Sequence, residues 1–344
     1  MIINSEKQRD YFFDNIKGFL IILVVFGHAI QYLAFKRNSS VLLGLFMLIY
    51  SFHMPLFIFI SGFFSKKTNS LKLIHLAFTY FLWQMVITPG FISIFTNKTF
   101  IGYSKSFFEP YGTYWYLVSL LIWRLITPHI VKIKNHILIS FLLGSLIGFS
   151  SINLDFFAIG RTFAFYPFFL IGYHCKKEWI SKLKASVNTY IAIGLILISS
   201  LGTTALIHFS KNILLKEKYL MKVLYMKDTY SSYLTTPEIG FILRIITYII
   251  ASILIVSIIK LTPSKKTIFS KIGINSLFIY LSHGMILKVL EINGIGDYSP
   301  TDGFFFASIT FIICFIYSYI CTLKPIPQIS KLLSSVPDKL FKEH

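Results

Sequence analysis

The stretch that decides the fold runs from residue 14 to residue 28 and reads DNIKGFLIILVVFGH. No charge and no proline interrupts the residues between Lys17 and His28, and the apolar run continues to about residue 35. About 20 apolar residues in a helix cross the hydrocarbon core of a bilayer. No A-x-A cleavage pattern follows the run, so we expect a retained membrane-spanning helix and not a signal peptide.

The composition extends this expectation to the whole chain. Of 344 residues, 55% are hydrophobic and 14% are charged, and the mean hydropathy is +0.69. This leaves too little polar surface for a soluble globule. We expect an all-α, polytopic integral membrane protein with about ten transmembrane helices. The predicted segments are 15–35, 41–64, 70–96, 112–129, 136–152, 156–175, 187–208, 239–260, 267–292 and 303–323. They form one membrane domain, 1–344, with short tails at 1–14 and 324–344.

The positive charges lie mainly in short loops. The net charge of +19 comes from Lys and Arg that separate apolar runs, a pattern that disfavours nucleic acid as a partner. With the N-terminus inside, 19 basic residues fall in inside segments and 10 in outside segments. The positive-inside rule therefore predicts that both termini are cytoplasmic, with the basic loops near anionic membrane lipids.

Several kinds of site have no support in the sequence. Three cysteines, Cys175, Cys314 and Cys321, have neither metal-ligand spacing nor a disulfide pattern, and we interpret them as packing residues. No metal motif, P-loop, G-x-S-x-G elbow or dinucleotide fingerprint is present. We therefore expect no metal, no ATP-driven pumping and no serine hydrolysis.

Ionisable residues inside the apolar segments indicate a polar path. A Lys or Arg at the centre of a membrane helix costs about 2.5 to 3.5 kcal/mol even on the lenient insertion scale. As an alternative, Lys17, Arg124 and Arg161 lie near helix ends and extend to the interface. The complete set favours a cavity with polar partners. Its members are Asp14, Lys17, His28, His53, Arg124, Arg161, Arg244 and His283.

The first helix has the most specific geometry. Lys17 and His28 are eleven residues apart, so they share one helical face and lie about 16 Å apart along the axis. Asp14, three residues before Lys17, can pair with it. This stripe suits acyl-coenzyme A, which has phosphates at one end and a thioester at the end of a long arm. His28 would act as general base on a hydroxyl. A structural histidine or a proton relay is the alternative.

The second helix adds a possible donor site. His53 lies near its middle, before Pro55, and Lys66 and Lys67 follow its cytoplasmic end. The lysines are candidates for binding donor phosphates, and the proline can free a backbone carbonyl to line a cavity. Equally, the proline is only a kink and the lysines only a topology signal.

The segment 14–28 resembles the first-helix signature of the membrane-bound acyltransferase 3 family, in which ten residues separate a basic residue from a histidine. The match is closest to the fucose 4-O-acetylase-like branch, which often has Lys at the basic position. The similarity continues in family order through four further blocks. These are FHMPLFIFISGF at 52–63, YWYL at 114–117, FYPFFLIGY at 165–173 and SLFIYLSH at 276–283.

The resemblance implies a ten-helix domain that uses cytoplasmic acyl-CoA, commonly acetyl-CoA, to O-acylate a glycan or its lipid-linked precursor. It implies His28 as catalytic base, Lys17 as its basic partner and Arg161 as a further functional residue. The chain has no fused hydrolase-like domain, and the loop after Phe64 lacks the arginines common in the family. The glycan expectation points to a bacterial plasma membrane.

The sequence thus predicts a cell-surface polysaccharide O-acetyltransferase with three groups of residues. The catalytic group is His28, Lys17 and Asp14; the donor group is Lys17, Lys66, Lys67 and Arg124; and the acceptor and cavity group is His53, Tyr114, Trp115, Arg161, Arg244 and His283. Direct transfer and an acyl-enzyme relay both fit. The alternatives are a carrier or flippase for a lipid-linked saccharide or anion, and an acyltransferase with another donor, such as succinyl-CoA, or a non-glycan acceptor.

Overall fold

The computed structural model describes residues 10–37, 39–97, 99–100, 106–210, 217–232, 234, 236–294 and 303–337, and these are helical with no β-strand. The α-helices are α1 Phe12–Arg37, α2 Ser40–Phe64, α3 Ser70–Leu82, α4 Thr88–Phe95, α5 Trp115–Ile130, α6 His136–Leu146, α7 Ile159–His174, α8 Lys177–Ser186, α9 Thr189–Ser210, α10 Glu217–Tyr225, α11 Pro237–Leu261, α12 Ile268–Ile274, α13 Ser276–Ile292, α14 Gly303–Ile320 and α15 Ile326–Ser334. The polytopic all-α prediction is confirmed.

Each of the ten predicted segments contains a helix, but fewer than ten are long enough to span by themselves. Among the described residues, six helices are long and apolar enough to cross a membrane, and two bent pairs raise the number to eight. The segments predicted at 112–129 and 136–152 contain the shorter helices α5 and α6. The number ten is therefore an approximation.

One predicted span contains a sharp bend, and another begins directly after one. The segment 267–292 is α12 and α13, which meet at an angle of 77°, and the helix of segment 187–208 follows α8 at an angle of 89°. The first break lies at Asn275, whose side-chain amide donates to the carbonyl oxygen of Lys271. Asn favours such local bonds over continued helix, which explains why hydrophobicity alone missed the bend.

The third predicted span is irregular ahead of Pro89. A π-helical segment, Trp83–Ile87, joins α3 to α4, and the Thr88 N–H donates to the Trp83 carbonyl oxygen. Proline has no N–H to donate, so the hydrogen-bond pattern shifts in the preceding turn. Within this segment the buried Gln84 amide donates to the carbonyl oxygens of Ser106 and Glu109 at 3.2 and 3.0 Å. These two bonds fix the loop that contains Ser106 and Glu109 to the bundle.

Both ends of the described chain lie on one side of the bundle. Gly273 of α12 contacts the backbone of Asp14 at the start of α1, and Lys271 lies 3.5 Å from the Tyr319 hydroxyl at the end of α14. Following the charge bias, we name this side cytoplasmic. Large apolar side chains are exposed around the bundle, including those of Ile94, Leu138 and Ile198. Such a surface suits lipid tails.

Glycines set the closest helix contacts. A Cβ atom on Gly18 of α1 would collide with the carbonyl oxygen of Phe269 in α12, and one on Gly172 of α7 would collide with that of Phe59 in α2. Small residues at membrane helix interfaces permit this close approach of two backbones. The glycines therefore hold α1 against α12 and α2 against α7, which brings α1 and α2 into fixed positions.

A buried asparagine adds a polar clamp at the cytoplasmic side. The Asn15 amide donates to the carbonyl oxygens of Pro263 and Lys265, both at 2.8 Å, and its oxygen accepts from the Thr267 hydroxyl at 2.6 Å. Thr267 and Ser270 form a capping box at the start of α12. Asn15 is 2% exposed and fully bonded, so it fixes α1 to the loop before α12.

We expect Gly18→Ala to lower the stability of the protein by about 1 to 3 kcal/mol, because the added methyl group must displace the backbone of α12. Gly194→Ala in α9 is the matched control, since nothing lies within 4 Å of the added Cβ. The control should leave stability unchanged or raise it slightly. Thermal unfolding of the two variants in detergent measures the difference. Equal melting temperatures would contradict the close packing of α1 on α12.

Candidate active site

A cavity of about 1210 Å³ opens on the side opposite the chain ends, and we call it the outer cavity. It is lined by residues of α1, α2, α5, α7, α10, α13 and α14 and by the loops that connect helices on that side. The side chains that matter for chemistry are those of His28, Tyr50, His53, Trp115, Arg161, Tyr225 and Tyr280. The cavity therefore combines aromatic walls with a few polar groups, as ligand sites generally do.

His28 belongs to a small hydrogen-bond network in this cavity. Its Nδ1 lies 2.9 Å from the Tyr50 hydroxyl and 3.3 Å from Gln31 Oε1. The Tyr50 hydroxyl in turn donates to Gln31 Oε1 at 3.1 Å. One ring nitrogen of His28 is thus engaged with neighbours.

Packing fixes the position of Tyr50. Its ring stacks on Phe46 with centroids 3.9 Å apart and meets His53 edge-on at 4.6 Å. On α1, Gly27 leaves room for it, because a Cβ there would stand 3.1 Å from Tyr50 Cε2. The glycine before His28 thus lets the tyrosine of α2 reach the imidazole.

Two further histidines lie close to this network. The ring of His283 is 5.4 Å from that of His28, and His53 lines the cavity wall. In both, Nδ1 faces the backbone carbonyl oxygen four residues earlier, at 2.7 Å for His53 and 3.1 Å for His283. The buried His283 Nε2 has no hydrogen-bond partner among the described residues. Of the described residues, no group of three or more His, Cys, Asp or Glu could hold a metal ion.

Arg161 supplies a positive charge to the cavity wall. Its guanidinium lies 4.9 Å from the centre of the Trp115 ring, and Trp115 stacks on Phe165 at 5.4 Å. Arg161 Nε donates to the Tyr225 carbonyl oxygen at 3.3 Å. No carboxylate of the described residues lies within ion-pair distance of Arg161. Its outer nitrogens remain available to a ligand.

Charged side chains surround the mouth of the cavity. Lys227 pairs with Asp155 at 3.3 Å, and Lys288 pairs with Glu291 at 2.8 Å. Glu109 is a further lining residue on the rim. Among the described lining residues, these three carboxylates stand beside the cations Lys227, Lys288 and Arg161, so the described lining has no excess of positive charge.

Three residues predicted for the cavity do not line it: His283, described above, Tyr114 and Arg244. The buried Tyr114 hydroxyl lies 2.7 Å from Thr88 Oγ1 and donates to the Leu281 carbonyl oxygen at 2.7 Å, so it joins α4, α5 and α13. Arg244 is 1% exposed, donates to the Gly144 carbonyl oxygen at 2.8 Å and stacks over Tyr230. All three side chains instead bond to backbone carbonyl oxygens nearby.

The residues predicted for the donor lie on the cytoplasmic side and do not line the outer cavity. Lys17 Nζ lies 3.0 Å from Asp14 Oδ1, and the fully buried Leu20 and Ile21 follow on α1 before the cavity begins at Val24. The predicted stripe from Lys17 to His28 is thus not an open groove in this structure. Lys66 Nζ donates to the Cys175 carbonyl oxygen, while Lys67 is exposed.

Of the predicted donor residues, Arg124 lines a second pocket, on the cytoplasmic side. This cytoplasmic pocket has a volume of about 340 Å³ and lies between α3 and α5. Its lining residues are Asn69, Leu71, Lys72, His75, Leu76, Thr79, Arg124 and Leu277. Sequence reasoning missed Lys72 and His75, although they lie three residues apart on a helix and therefore share a face.

Tyr50 and Gln31 were also missed. Gln31 follows His28 by three residues and Tyr50 precedes His53 by three, so each lies on the helical face of a histidine that the sequence had indicated. A search for polar neighbours at this spacing would have found both. The pairing of α1 with α2, by contrast, required the structure.

A family model described as an acyltransferase domain matches residues 10–323. Two curated relatives are each described as nodulation protein NolL. The protein from Sinorhizobium fredii is 32% identical over 138 residues, which are 36% of this chain and 37% of the relative. The protein from Mesorhizobium japonicum is 29% identical over 190 residues, 49% of this chain and 48% of the relative. The chain thus spans less than half the length of these relatives. No solved structure matches it.

Proposed function

Since the chain belongs to the acyltransferase 3 family, we propose that it transfers an acetyl group from cytoplasmic acetyl-CoA to a hydroxyl of a cell-surface polysaccharide or its lipid-linked precursor. The observation that carries this proposal is His28, which stands in the wall of the outer cavity with Tyr50 and Gln31 on one ring nitrogen. The family match supports acyl transfer, and the cavity supports a ligand that presents hydroxyl groups and apolar faces.

The hydrogen bonds favour one tautomer of His28. Gln31 Oε1 can only accept, and the Tyr50 hydroxyl has one proton to donate. All three groups are satisfied if His28 Nδ1–H donates to the Tyr50 oxygen and the Tyr50 O–H donates to Gln31. Nε2 then carries the lone pair. His28 is thereby arranged as a general base whose orientation is set by Tyr50.

The reaction then proceeds by proton transfer through Nε2. The acceptor hydroxyl oxygen attacks the thioester carbonyl carbon while His28 Nε2 takes the hydroxyl proton. The tetrahedral intermediate collapses, the carbon–sulfur bond breaks, and the imidazolium returns the proton to the leaving thiolate. The products are an O-acetyl ester and free CoA thiol. Arg161 can donate to an oxygen of the acceptor or of the intermediate, since its outer nitrogens have no carboxylate partner.

The aromatic wall supports a sugar acceptor. Trp115 and Phe165 form a stacked pair that gives the cavity an apolar wall, which suits the apolar surface of a sugar ring. Arg161 beside them offers donors to hydroxyl oxygens. The charge bias assigns the side with the basic loops to the cytoplasm. The mouth of the outer cavity opens on the other side, so in this proposal an acceptor at the cell exterior reaches it directly.

The finer assignment to the fucose 4-O-acetylase-like branch is part of this proposal. It is supported by Lys17 in place of the usual arginine and by the motif blocks that follow in family order. With it we propose a bacterial plasma membrane location and a single catalytic domain. In this proposal Lys17 is the basic partner of His28 on α1. Asp14 holds Lys17 in place by the ion pair at the cytoplasmic end of the helix.

We expect His28→Ala to reduce transfer of label from acetyl-CoA to membrane glycan by a factor of about 10² or more, because general-base catalysis contributes about 10² to 10⁴. His129→Ala, an exposed histidine at the cytoplasmic end of α5, is the control. Undiminished transfer by His28→Ala at normal expression would refute the proposal. Movement of a lipid-linked saccharide without acyl transfer would support the carrier instead.

We expect Tyr50→Phe to lower kcat by about tenfold and to leave KM for acetyl-CoA unchanged, because His28 loses the group that orients it but the donor site is untouched. The ring stack on Phe46 remains in this variant. Tyr166→Phe, which removes a hydroxyl bonded to Thr127 outside the cavity, controls for loss of a hydrogen bond. A kcat equal to that of the control would remove Tyr50 from the mechanism.

A further inference from the structure

The helices α13 and α14 meet in the cytoplasmic half of the bundle and separate in the outer half. Where they meet, the Tyr317 hydroxyl of α14 lies 2.6 Å from the Ser282 hydroxyl of α13. At the outer end of α13, the Asn293 amide donates to the Phe95 carbonyl oxygen of α4 at 3.2 Å. The outer end of α13 is thus tied to α4.

The outer end of α14 is held by a different neighbour. A Cβ atom on Gly303, the first residue of α14, would collide with Ser39 Oγ and stand 3.5 Å from Val41 Cβ, both at the start of α2. Because their outer ends are attached to α4 and α2, the two helices leave a space between their outer halves. We call this space the lateral gap.

The first helix forms the floor of the lateral gap. Among the described residues, α1 is the only helix that packs closely on both α13 and α14. The His283 ring of α13 lies 5.4 Å from that of His28, and Phe311 of α14 meets Phe26 edge-on at 5.3 Å. His28 lines the same cavity as residues of both helices. The lateral gap therefore leads to the proposed catalytic base.

The walls of the lateral gap are largely apolar. The apolar side chains that line the outer cavity here include Leu287 of α13 and Phe306, Ile309 and Ile313 of α14. Ile309 and Ile313 are also 38% and 59% exposed, and Ile312 beside them is 56% exposed without lining the cavity. The apolar wall of the cavity is thus continuous with a surface that suits lipid.

The depth of the lateral gap matches the outer leaflet. From Ser282 to Leu290, α13 rises by eight residues, or about 12 Å. This is somewhat less than half of a hydrocarbon core of about 30 Å. The ion pair of Lys288 with Glu291 lies at the outer end of α13. Charged side chains at this position suit the headgroup region, with the apolar walls at the depth of the lipid chains.

The polar groups of the outer cavity come mainly from other elements. Arg161 and Trp115 belong to α7 and α5, and their donors and ring suit a saccharide. A ligand that contacts both these groups and the lateral gap needs a polar head and a hydrocarbon chain. A saccharide attached to a lipid has this form, whereas a free polysaccharide has no group that matches the apolar walls.

We propose that the outer cavity opens sideways to the bilayer through the lateral gap, and that the acceptor is a lipid-linked saccharide whose hydrocarbon chain lies between α13 and α14. The inference rests on the proposed acyl transfer and narrows its acceptor to the membrane-bound form. An acceptor anchored in the outer leaflet then reaches His28 without exposing its chain to water, which the hydrophobic effect opposes.

The first test measures which medium fills the lateral gap, and it is independent of catalysis. A nitroxide spin label is attached to Leu287→Cys and Ile309→Cys in phosphatidylcholine nanodiscs. Wild type, whose three cysteines are buried, gives the background. Dissolved oxygen concentrates in hydrocarbon and should relax both labels as strongly as a label on Ile198→Cys at the exposed surface of α9. A water-soluble nickel chelate should relax them less than oxygen does.

The second test fills the lateral gap. Ile309→Trp should lower transfer from labelled acetyl-CoA to lipid-linked saccharide by about tenfold or more, because the larger side chain takes the space of the hydrocarbon chain. Ile312→Trp is the matched control on the same helix, since Ile312 is exposed and does not line the cavity. Equal melting temperatures in detergent show that both variants are folded.

Two acceptor preparations are compared in this test. One is a chloroform–methanol extract of the membranes of the producing cells, which holds lipid-linked saccharides, and the other is delipidated polysaccharide from the same cells. Wild type should label saccharide in the extract and not the delipidated polysaccharide.

The inference is overturned if the nickel chelate relaxes the labels at positions 287 and 309 more than oxygen does, since the space then opens to water. It is also overturned if Ile309→Trp transfers as fast as Ile312→Trp, which would assign the lateral gap to an ordinary membrane lipid. Equal labelling of the delipidated polysaccharide would have the same effect. Failure of the catalytic proposal looks different, because His28→Ala would then keep transfer while the spin-label result is unchanged.

Discussion

The structure depends on one constraint: polar groups inside a membrane bundle must find partners within the protein, since lipid offers none. Most buried polar side chains meet it with backbone carbonyl groups. Asn15 joins α1 to the loop before α12, Tyr114 joins α5 to α13, and Arg244 donates to Gly144. In the outer cavity, by contrast, the side chains of His28, Tyr50 and Gln31 bond to one another, and His28 and Arg161 line open space.

Close helix packing makes that cavity possible. Gly18 and Gly172 bring α1 onto α12 and α2 onto α7 at backbone distance, so the two histidine-bearing helices are held at their cytoplasmic halves. Beyond these contacts Gly27 admits Tyr50 to His28. The bundle is thus tight where the chain ends lie and open at the other side. A reaction with a cytoplasmic donor and an external acceptor, as proposed here, needs the two sides of the membrane to be kept apart in this way.

The sequence predicted the helical membrane fold, because long apolar runs in lipid must satisfy their backbone groups within a helix. It also directed ionisable groups toward a cavity. Of these, His28, His53 and Arg161 line the outer cavity. Arg244 and His283 bond to backbone groups instead, a difference that depends on tertiary packing.

Local hydrogen bonds divided in the same way. The pairing of Lys17 with Asp14 follows from their spacing of three residues and was predicted. The bend at Asn275 was not predicted, since hydrophobicity is blind to local hydrogen-bond competition. The bond from Lys66 to the Cys175 carbonyl oxygen depends on a tertiary neighbour that the sequence does not show.

The central claim is that an acyl donor held from the cytoplasm delivers its thioester to His28. A cryo-EM structure of the protein with bound CoA tests it most directly. The account predicts the nucleotide on the cytoplasmic side of the bundle and the thiol within hydrogen-bond reach of His28 Nε2, about 3 Å. A thiol that lies away from His28, or a nucleotide bound at the carboxylate-bearing mouth of the outer cavity, would contradict it.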